Sequence, residues 1–138
     1  MKKTVLAMMA IAMLATTSCK KEDKAMVASK ENLAGSYKLT SAKVGTNGSP
    51  EMEFIQACQK DNISTLKSDM TFTVVEGSEV CSNSAEVSSN WDLPNSTTIV
   101  LDGDLYSIKS WNGKELVLAV TITDGGTTYN TTDIYVKQ

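Results

Sequence analysis

The sequence predicts an all-β domain, an eight-stranded antiparallel up-and-down barrel with one short helix or lid-like loop after the first strand. Three observations lead to this fold class. After Asn32, apolar and polar residues alternate with a period of two over eight segments. Two-residue hairpin signals, such as Asp102-Gly103 and Asn112-Gly113, join several of them. A meander of this kind hides its edges by closing on itself, and a twisted open sheet or a sandwich is the alternative.

The eight predicted strands are short and regularly spaced, with turn residues between them. They cover residues 33–44, 63–67, 70–76, 85–93, 97–101, 105–111, 115–123 and 128–137. In the first strand Tyr37 and Leu39 share one face. Ser68-Asp69, Pro94-Asn95 and Asp124-Gly125-Gly126 are the other predicted turns. Residues 51–62 are compatible with either a short helix or a lid-like loop, because their apolar residues follow a helical period only loosely.

Composition and charge argue against several classes of function. The chain has no His and no Arg, and its formal net charge is −3 at pH 7. Nucleic-acid binding relies on clustered Arg and Lys, so we expect no nucleic-acid partner. Without His, neither a Ser-His nor a Cys-His pair can form, and the commonest metal ligand is missing. We therefore expect no enzyme, no metal and no cofactor.

The acidic residues give no clear catalytic pair. Asp69, Asp102 and Asp124 fall in predicted turns, where Asp is favoured for local hydrogen bonds. Asp92, Glu115 and Asp133 lie in predicted strands, and their side chains are free to face either side of the sheet. A Ser-Lys pair or two carboxylates remain formally open as a catalytic arrangement.

The first 18 residues predict a cleavable secretory signal peptide rather than a transmembrane helix. Lys2 and Lys3 precede an apolar run that is too short to span a bilayer, and small residues follow it. Thr16, Thr17 and Ser18 lead directly into Cys19, an arrangement that resembles the lipobox of bacterial lipoproteins, although the usual box has Leu where Thr16 stands. The resemblance implies that Cys19 is lipidated and anchors the protein to a membrane. The alternative is an ordinary signal peptide that leaves Cys19 as a free thiol.

Residues 19–32 are polar and charged, which is typical of a flexible tether. Lys21, Glu22 and Asp23 follow the cysteine within this segment and resemble the export signal of Bacteroidota surface lipoproteins. The resemblance implies an outer-membrane lipoprotein displayed on the cell surface, with the periplasmic face as the alternative. A solvated charged linker explains the same three residues without any signal.

Two further cysteines, Cys58 and Cys81, lie 23 residues apart in the predicted domain. If Cys19 carries a lipid, these two form an even pair in an oxidising compartment, and a disulfide is their expected state. A zinc site without His is a weaker interpretation, as is a redox pair, which usually has the spacing C-x-x-C.

Short motifs in a fixed order carry a family resemblance across residues 33–138. They are Leu33, Gly35, Tyr37 and Leu39; Cys58 with Asp61-Asn62; Phe72; Cys81; and the segments 90–93, 105–108 and 115–118. Together they resemble the lipocalin-like domains of Bacteroidota lipoproteins, in which the opening motif is usually Gly-x-Trp where this chain has Tyr37. The resemblance implies a small antiparallel barrel able to bind an apolar molecule.

Aromatic residues are the best candidates for a binding site, because their side chains are rigid and amphipathic. Tyr37, Phe72, Trp91 and Tyr106 are predicted to line a cavity for a small, mostly apolar ligand. The alternative is that Phe72, Trp91 and Tyr106 simply fill the barrel. In that case the protein is a monomeric surface module whose loops contact a protein or a glycan. A monomer is expected under either interpretation.

Overall fold

The structure is a computed structural model that describes residues 24–82 and 86–138. Its regular elements lie in the following order along the chain: helix α1 (Lys30–Leu33), β1 (Gly35–Thr46), β2 (Met52–Glu53), a 3-10 helix (Ala57–Gln59), β3 (Ile63–Leu66), β4 (Thr71–Val75), β5 (Val87–Asn95), β6 (Thr98–Leu101), β7 (Asp104–Trp111), β8 (Glu115–Asp124) and β9 (Thr127–Lys137).

The sheet closes on itself to form the predicted barrel. From β3 to β9 each strand pairs antiparallel with the next, and β3 pairs with the first half of β1. Strand β9 pairs with β8 on one side and with β1 on the other, in a register running from Tyr37↔Lys137 to Thr46↔Tyr129. Strand β2 is a two-residue addition to β1. The closed barrel therefore has eight strands, and the fold class is confirmed over the open-sheet alternative.

Three register shifts bend the strands around the barrel. They lie between Leu39 and Ser41, between Asp92 and Asn95, and between Ile108 and Ser110. An extra residue on one strand increases the local twist and bends it, as closure of a small barrel requires. Pro94 sits within one of these irregular stretches, where its missing N–H costs no ladder hydrogen bond.

The hairpin signals form turns where the sequence places them, with one exception. Asp102 and Gly103 both have positive φ, at 53° and 87°, which suits the twist of a tight two-residue hairpin. The predicted Pro94-Asn95 turn is misplaced, since β5 continues through Asn95 and the chain reverses at residues 96–97. The Asn95 side chain explains the position, because its Oδ1 accepts a hydrogen bond from Thr97 N at 2.9 Å.

Residues 51–62 form a loop over one end of the barrel. The segment contains only the two residues of β2 and the single turn of 3-10 helix, so the lid-like loop describes it better than a helix does. Two contacts attach this loop to the rest of the domain. Phe54 N donates to Ala42 O, and Cys58 is joined to Cys81 by a disulfide. We call this end, where β1 finishes and β9 begins, the open end.

Helix α1 covers the opposite, closed end. Ser29 caps the helix with a reciprocal pair of hydrogen bonds to Asn32. Leu33 is fully buried, and Tyr37 Oη donates to its carbonyl at 2.6 Å. Trp111 Nε1 donates to Asn32 Oδ1 at 3.0 Å. Ala28, which precedes the helix, is also buried and belongs to the same core. A four-residue helix is too short to show a period in the sequence.

The hydrophobic core fills the barrel from the closed end. Its buried members are Ala28, Leu33, Tyr37, Leu66, Phe72, Trp91, Ile99, Leu101, Trp111, Leu116 and Leu118. The inward positions of neighbouring strands face each other in register, as in the pairs Trp91↔Leu101 and Trp111↔Leu116. This packed half contains a void of about 20 Å³, and space of ligand size lies at the open end of the barrel.

Candidate functional site

The open end of the barrel contains a cavity of about 360 Å³. This volume lies in the range of small-molecule sites. Strands β1, β7, β8 and β9 and the loop after β1 provide its walls. The lining side chains are Leu39, Ala42, Val44, Phe54, Gln59, Tyr106, Val120, Ile122, Thr131, Asp133 and Tyr135. We call this space the open cavity. Because most of its lining is apolar, we treat it as the candidate binding site.

The closed half of the barrel has no comparable space. A void of about 20 Å³ lies between Tyr37, Phe72 and neighbouring leucines, which is room for about one water molecule. Two clefts of about 270 and 250 Å³ lie on the outside of the barrel, one beside Met26 and Trp111 and one beside Lys114. The open cavity, by contrast, enters the barrel interior between strands β1, β7, β8 and β9.

The structure separates the four predicted ligand residues into two groups. Tyr37, Phe72 and Trp91 are buried in the core, where each is at most 9% exposed. Trp91 Nε1 also donates to Lys67 O at 2.8 Å, so its polar atom is already satisfied within the protein. Tyr106 lines the open cavity. The four aromatic residues thus do not converge on one site, and Tyr106 is the member that a ligand in the open cavity would touch.

The predicted disulfide is confirmed and lies at the rim of the open end. Cys58 and Cys81 are bonded, with their Cα atoms 5.3 Å apart. The bond joins the loop between β1 and β3 to the loop between β4 and β5. Because the first of these loops contributes Phe54 and Gln59 to the cavity wall, the disulfide fixes part of that wall.

Asp61 adds a second connection between the same two loops. Its Oδ2 accepts hydrogen bonds from Ser78 N at 2.6 Å, from Ser78 Oγ at 2.9 Å and from Glu79 N at 3.1 Å. These bonds, with that from the Glu79 N–H as the largest contribution, hold the pKa of Asp61 below its usual range. Gly77 lies so close that a Cβ atom there would clash with the Asp61 carboxyl group. The two loops at this side of the open end are therefore joined by both the disulfide and the Asp61 hydrogen bonds.

Asp133 carries the only charge among the side chains that line the open cavity. Burial, followed by the nearby charge of Glu51, raises the pKa of Asp133 to about 6. Burial also raises the pKa of Tyr135 and that of Tyr106. The cavity is thus a mainly apolar cup with one ionisable carboxyl group on its wall.

The sequence placed Asp133 in a strand without fixing which way it faces. The apolar residues Ile134 and Val136 even suggest the opposite face of β9 as the inner one. The structure instead turns Thr131, Asp133 and Tyr135 inward. Tyr135 lies on the same face as Asp133, and this was the one sequence feature that favoured an inward Asp133. The β-branched residues Ile134 and Val136 favoured the opposite face more strongly.

Several sequence predictions concern residues that the structure does not describe. Cys19, Lys21, Glu22 and Asp23 lie outside the described residues. Within residues 24–82 and 86–138, no group of three or more His, Cys, Asp or Glu side chains is placed to hold a metal ion. No helix in the same residues is both long enough and apolar enough to cross a bilayer. Comparison with models of known families and with curated proteins finds no match to this chain.

Proposed function

We propose that the protein is a membrane-anchored, lipocalin-like barrel that binds or sequesters a small, mostly apolar molecule at the cell envelope. The observation that carries the proposal is the open cavity, about 360 Å³ in volume and walled mainly by aliphatic and aromatic side chains. The alternative of a fully packed barrel predicts no space larger than a few waters. The size of the cavity favours binding.

The path of the chain supports an anchored arrangement. Residues 24–33 approach the barrel at its closed end, where Met26 N donates to Trp111 O at 2.7 Å. The open cavity lies at the other end of the barrel, where β1 finishes and β9 begins. A lipid on Cys19 would hold the closed end towards the membrane, so the cavity would face away from it and stay accessible to a soluble ligand.

Binding is tested with N-phenyl-1-naphthylamine, a neutral dye whose fluorescence increases in apolar surroundings. The purified protein is expected to bind it saturably. Val120→Trp fills the cavity from β8 and is expected to raise the Kd at least about tenfold, which corresponds to about 1.4 kcal/mol of lost binding free energy. Ala119→Trp is the matched control, because Ala119 is the next residue on β8 and its side chain faces outward.

Two results would overturn the proposal. One is the absence of saturable dye binding by the unmodified protein. The other is an equal loss of affinity in both tryptophan variants, because the dye would then bind outside the barrel. Thermal unfolding of the three proteins, followed by circular dichroism, checks that each variant is folded before its Kd is interpreted.

A further inference from the structure

The carboxyl group of Asp133 faces the barrel interior among apolar neighbours. In the sheet Asp133 pairs with Ala42 of β1 on one side and with Leu118 of β8 on the other. Thr131 and Tyr135, two positions away in either direction, line the same cavity. The carboxyl group is therefore held on a rigid strand and directed towards the space that a ligand would occupy.

This carboxyl group has no partner among the residues that the structure describes. It makes no hydrogen bond or ion pair with any side chain or backbone group in residues 24–82 and 86–138. Placing a carboxylate in apolar surroundings costs free energy unless an opposite charge or a donor meets it. By contrast, the exposed Asp92 pairs with Lys30 at 2.8 Å. An unpaired acid on the cavity wall thus leaves a place for a donor supplied by the ligand.

The charged groups that act on Asp133 and on Tyr106 are also acidic. Glu51, on the loop after β1, acts on Asp133. On the neighbouring hairpin of β6 and β7, Asp104 and Asp102 join Asp133 in raising the pKa of Tyr106, after the larger effect of burial. No lysine of the described chain contributes at either group. The surroundings therefore favour a cation and disfavour an anion in the cavity.

We propose that the open cavity selects amphiphiles with a cationic amine head group, the ammonium pairing with Asp133 and the hydrocarbon chain lying against the apolar walls. The rings of Tyr106 and Tyr135 line the same space, and aromatic faces attract ammonium groups. Fatty-acid anions are disfavoured, since they would place a second carboxylate beside Asp133. The inference rests on the proposed function and names the class of ligand.

The test compares three ligands with the same hydrocarbon chain and different heads: octylamine, octan-1-ol and octanoate. Each is titrated into the complex with N-phenyl-1-naphthylamine, and its Kd is obtained from dye displacement at about pH 7.5, where Asp133 is mostly ionised. Octylamine is expected to bind at least about tenfold more tightly than octan-1-ol, the gain of one charge-assisted hydrogen bond in a partly buried site. Octanoate is expected to bind more weakly than the alcohol.

Asp133→Asn keeps the shape of the side chain and removes its charge. This variant is expected to lose the preference for octylamine over octan-1-ol while its Kd for the alcohol changes little. Asp124→Asn is the matched control, because Asp124 is exposed at the end of β8, outside the cavity, and loses the same charge. It should retain the preference, which separates direct pairing from the effect of net charge.

A pH series on the unmodified protein provides a measurement that does not depend on a variant. Octylamine stays protonated between about pH 8 and about pH 5, whereas Asp133 becomes neutral as the pH falls through about 6. Octylamine affinity is therefore expected to fall towards acid pH, and octan-1-ol affinity to stay constant. The charges of Glu51, Asp102 and Asp104 also act on Asp133 or on Tyr106, and Asp133→Asn should flatten the profile if Asp133 is responsible.

The outcomes separate this inference from the proposed function. If octan-1-ol displaces the dye as well as octylamine does, the cavity binds apolar ligands but does not select amines, and the inference is wrong. The same conclusion follows if Asp133→Asn and Asp124→Asn behave alike. If the dye itself does not bind, both the inference and the proposed function are overturned.

Discussion

Replacing Trp91 by alanine is expected to lower the free energy of unfolding by about 4 kcal/mol. Trp91 is 2% exposed, so the substitution removes a large buried group, leaves a cavity in the core, and removes one of the two hydrogen bonds that the Lys67 carbonyl accepts, the other coming from Met70 N. A domain of this size has a total stability of about 5–15 kcal/mol, so a substantial part would be lost. Urea unfolding followed by circular dichroism gives the difference directly.

Two further variants serve as controls for the effect of Trp91→Ala on stability. Trp91→Phe retains most of the buried volume and loses the indole N–H, so it should cost about 1–2 kcal/mol. Leu105→Ala removes an apolar side chain that is 59% exposed, and it should change stability by less than about 0.5 kcal/mol. A small effect of Trp91→Ala, similar to that of Leu105→Ala, would contradict the placement of Trp91 in the core.

Removing the Cys58–Cys81 disulfide is expected to cost about 3 kcal/mol, because the bond closes a loop with a sequence separation of 23 and restricts the unfolded chain. The double variant Cys58→Ser with Cys81→Ser should therefore unfold at a lower urea concentration than the unmodified protein. Dye affinity should fall as well, since the loop that carries Phe54 and Gln59 loses one of its attachments.

Reductant provides the control for the disulfide. It should lower the unfolding midpoint of the unmodified protein to about that of the double serine variant and leave the variant itself unchanged. Equal midpoints for the oxidised, reduced and double-variant proteins would show that the bond contributes nothing to stability.

The features that were predictable from sequence are governed by local physical chemistry. Alternation with a period of two reports one buried face per strand, and a dipeptide such as Asp102-Gly103 favours the positive φ angles of a tight hairpin. The disulfide was predictable because two cysteines remained once Cys19 was assigned to a lipid. These local signals suffice for the strand order and for the closed barrel.

The candidate site was less predictable because it depends on how deep each side chain lies in the closed barrel. Tyr37 and Tyr106 look equivalent in sequence, but one is buried beneath α1 and the other lines the open cavity. Their depths follow from strand register and from the three register shifts, which no local signal reveals. The direction of the Asp133 side chain was uncertain for a related reason. Ile134 and Val136 indicate one face of β9 as the inner one, and Tyr135 indicates the other.

The most direct measurement of where a ligand binds is an amide chemical-shift map of the isotope-labelled protein titrated with N-phenyl-1-naphthylamine. Binding in the open cavity predicts saturable shifts at Ala42, Val120 and Thr131, which line it, and little change at Leu66 and Trp111 in the packed half. Shifts confined to the closed end or to outward-facing residues, or no shifts at all, would contradict the proposal that the open end of the barrel is the binding site.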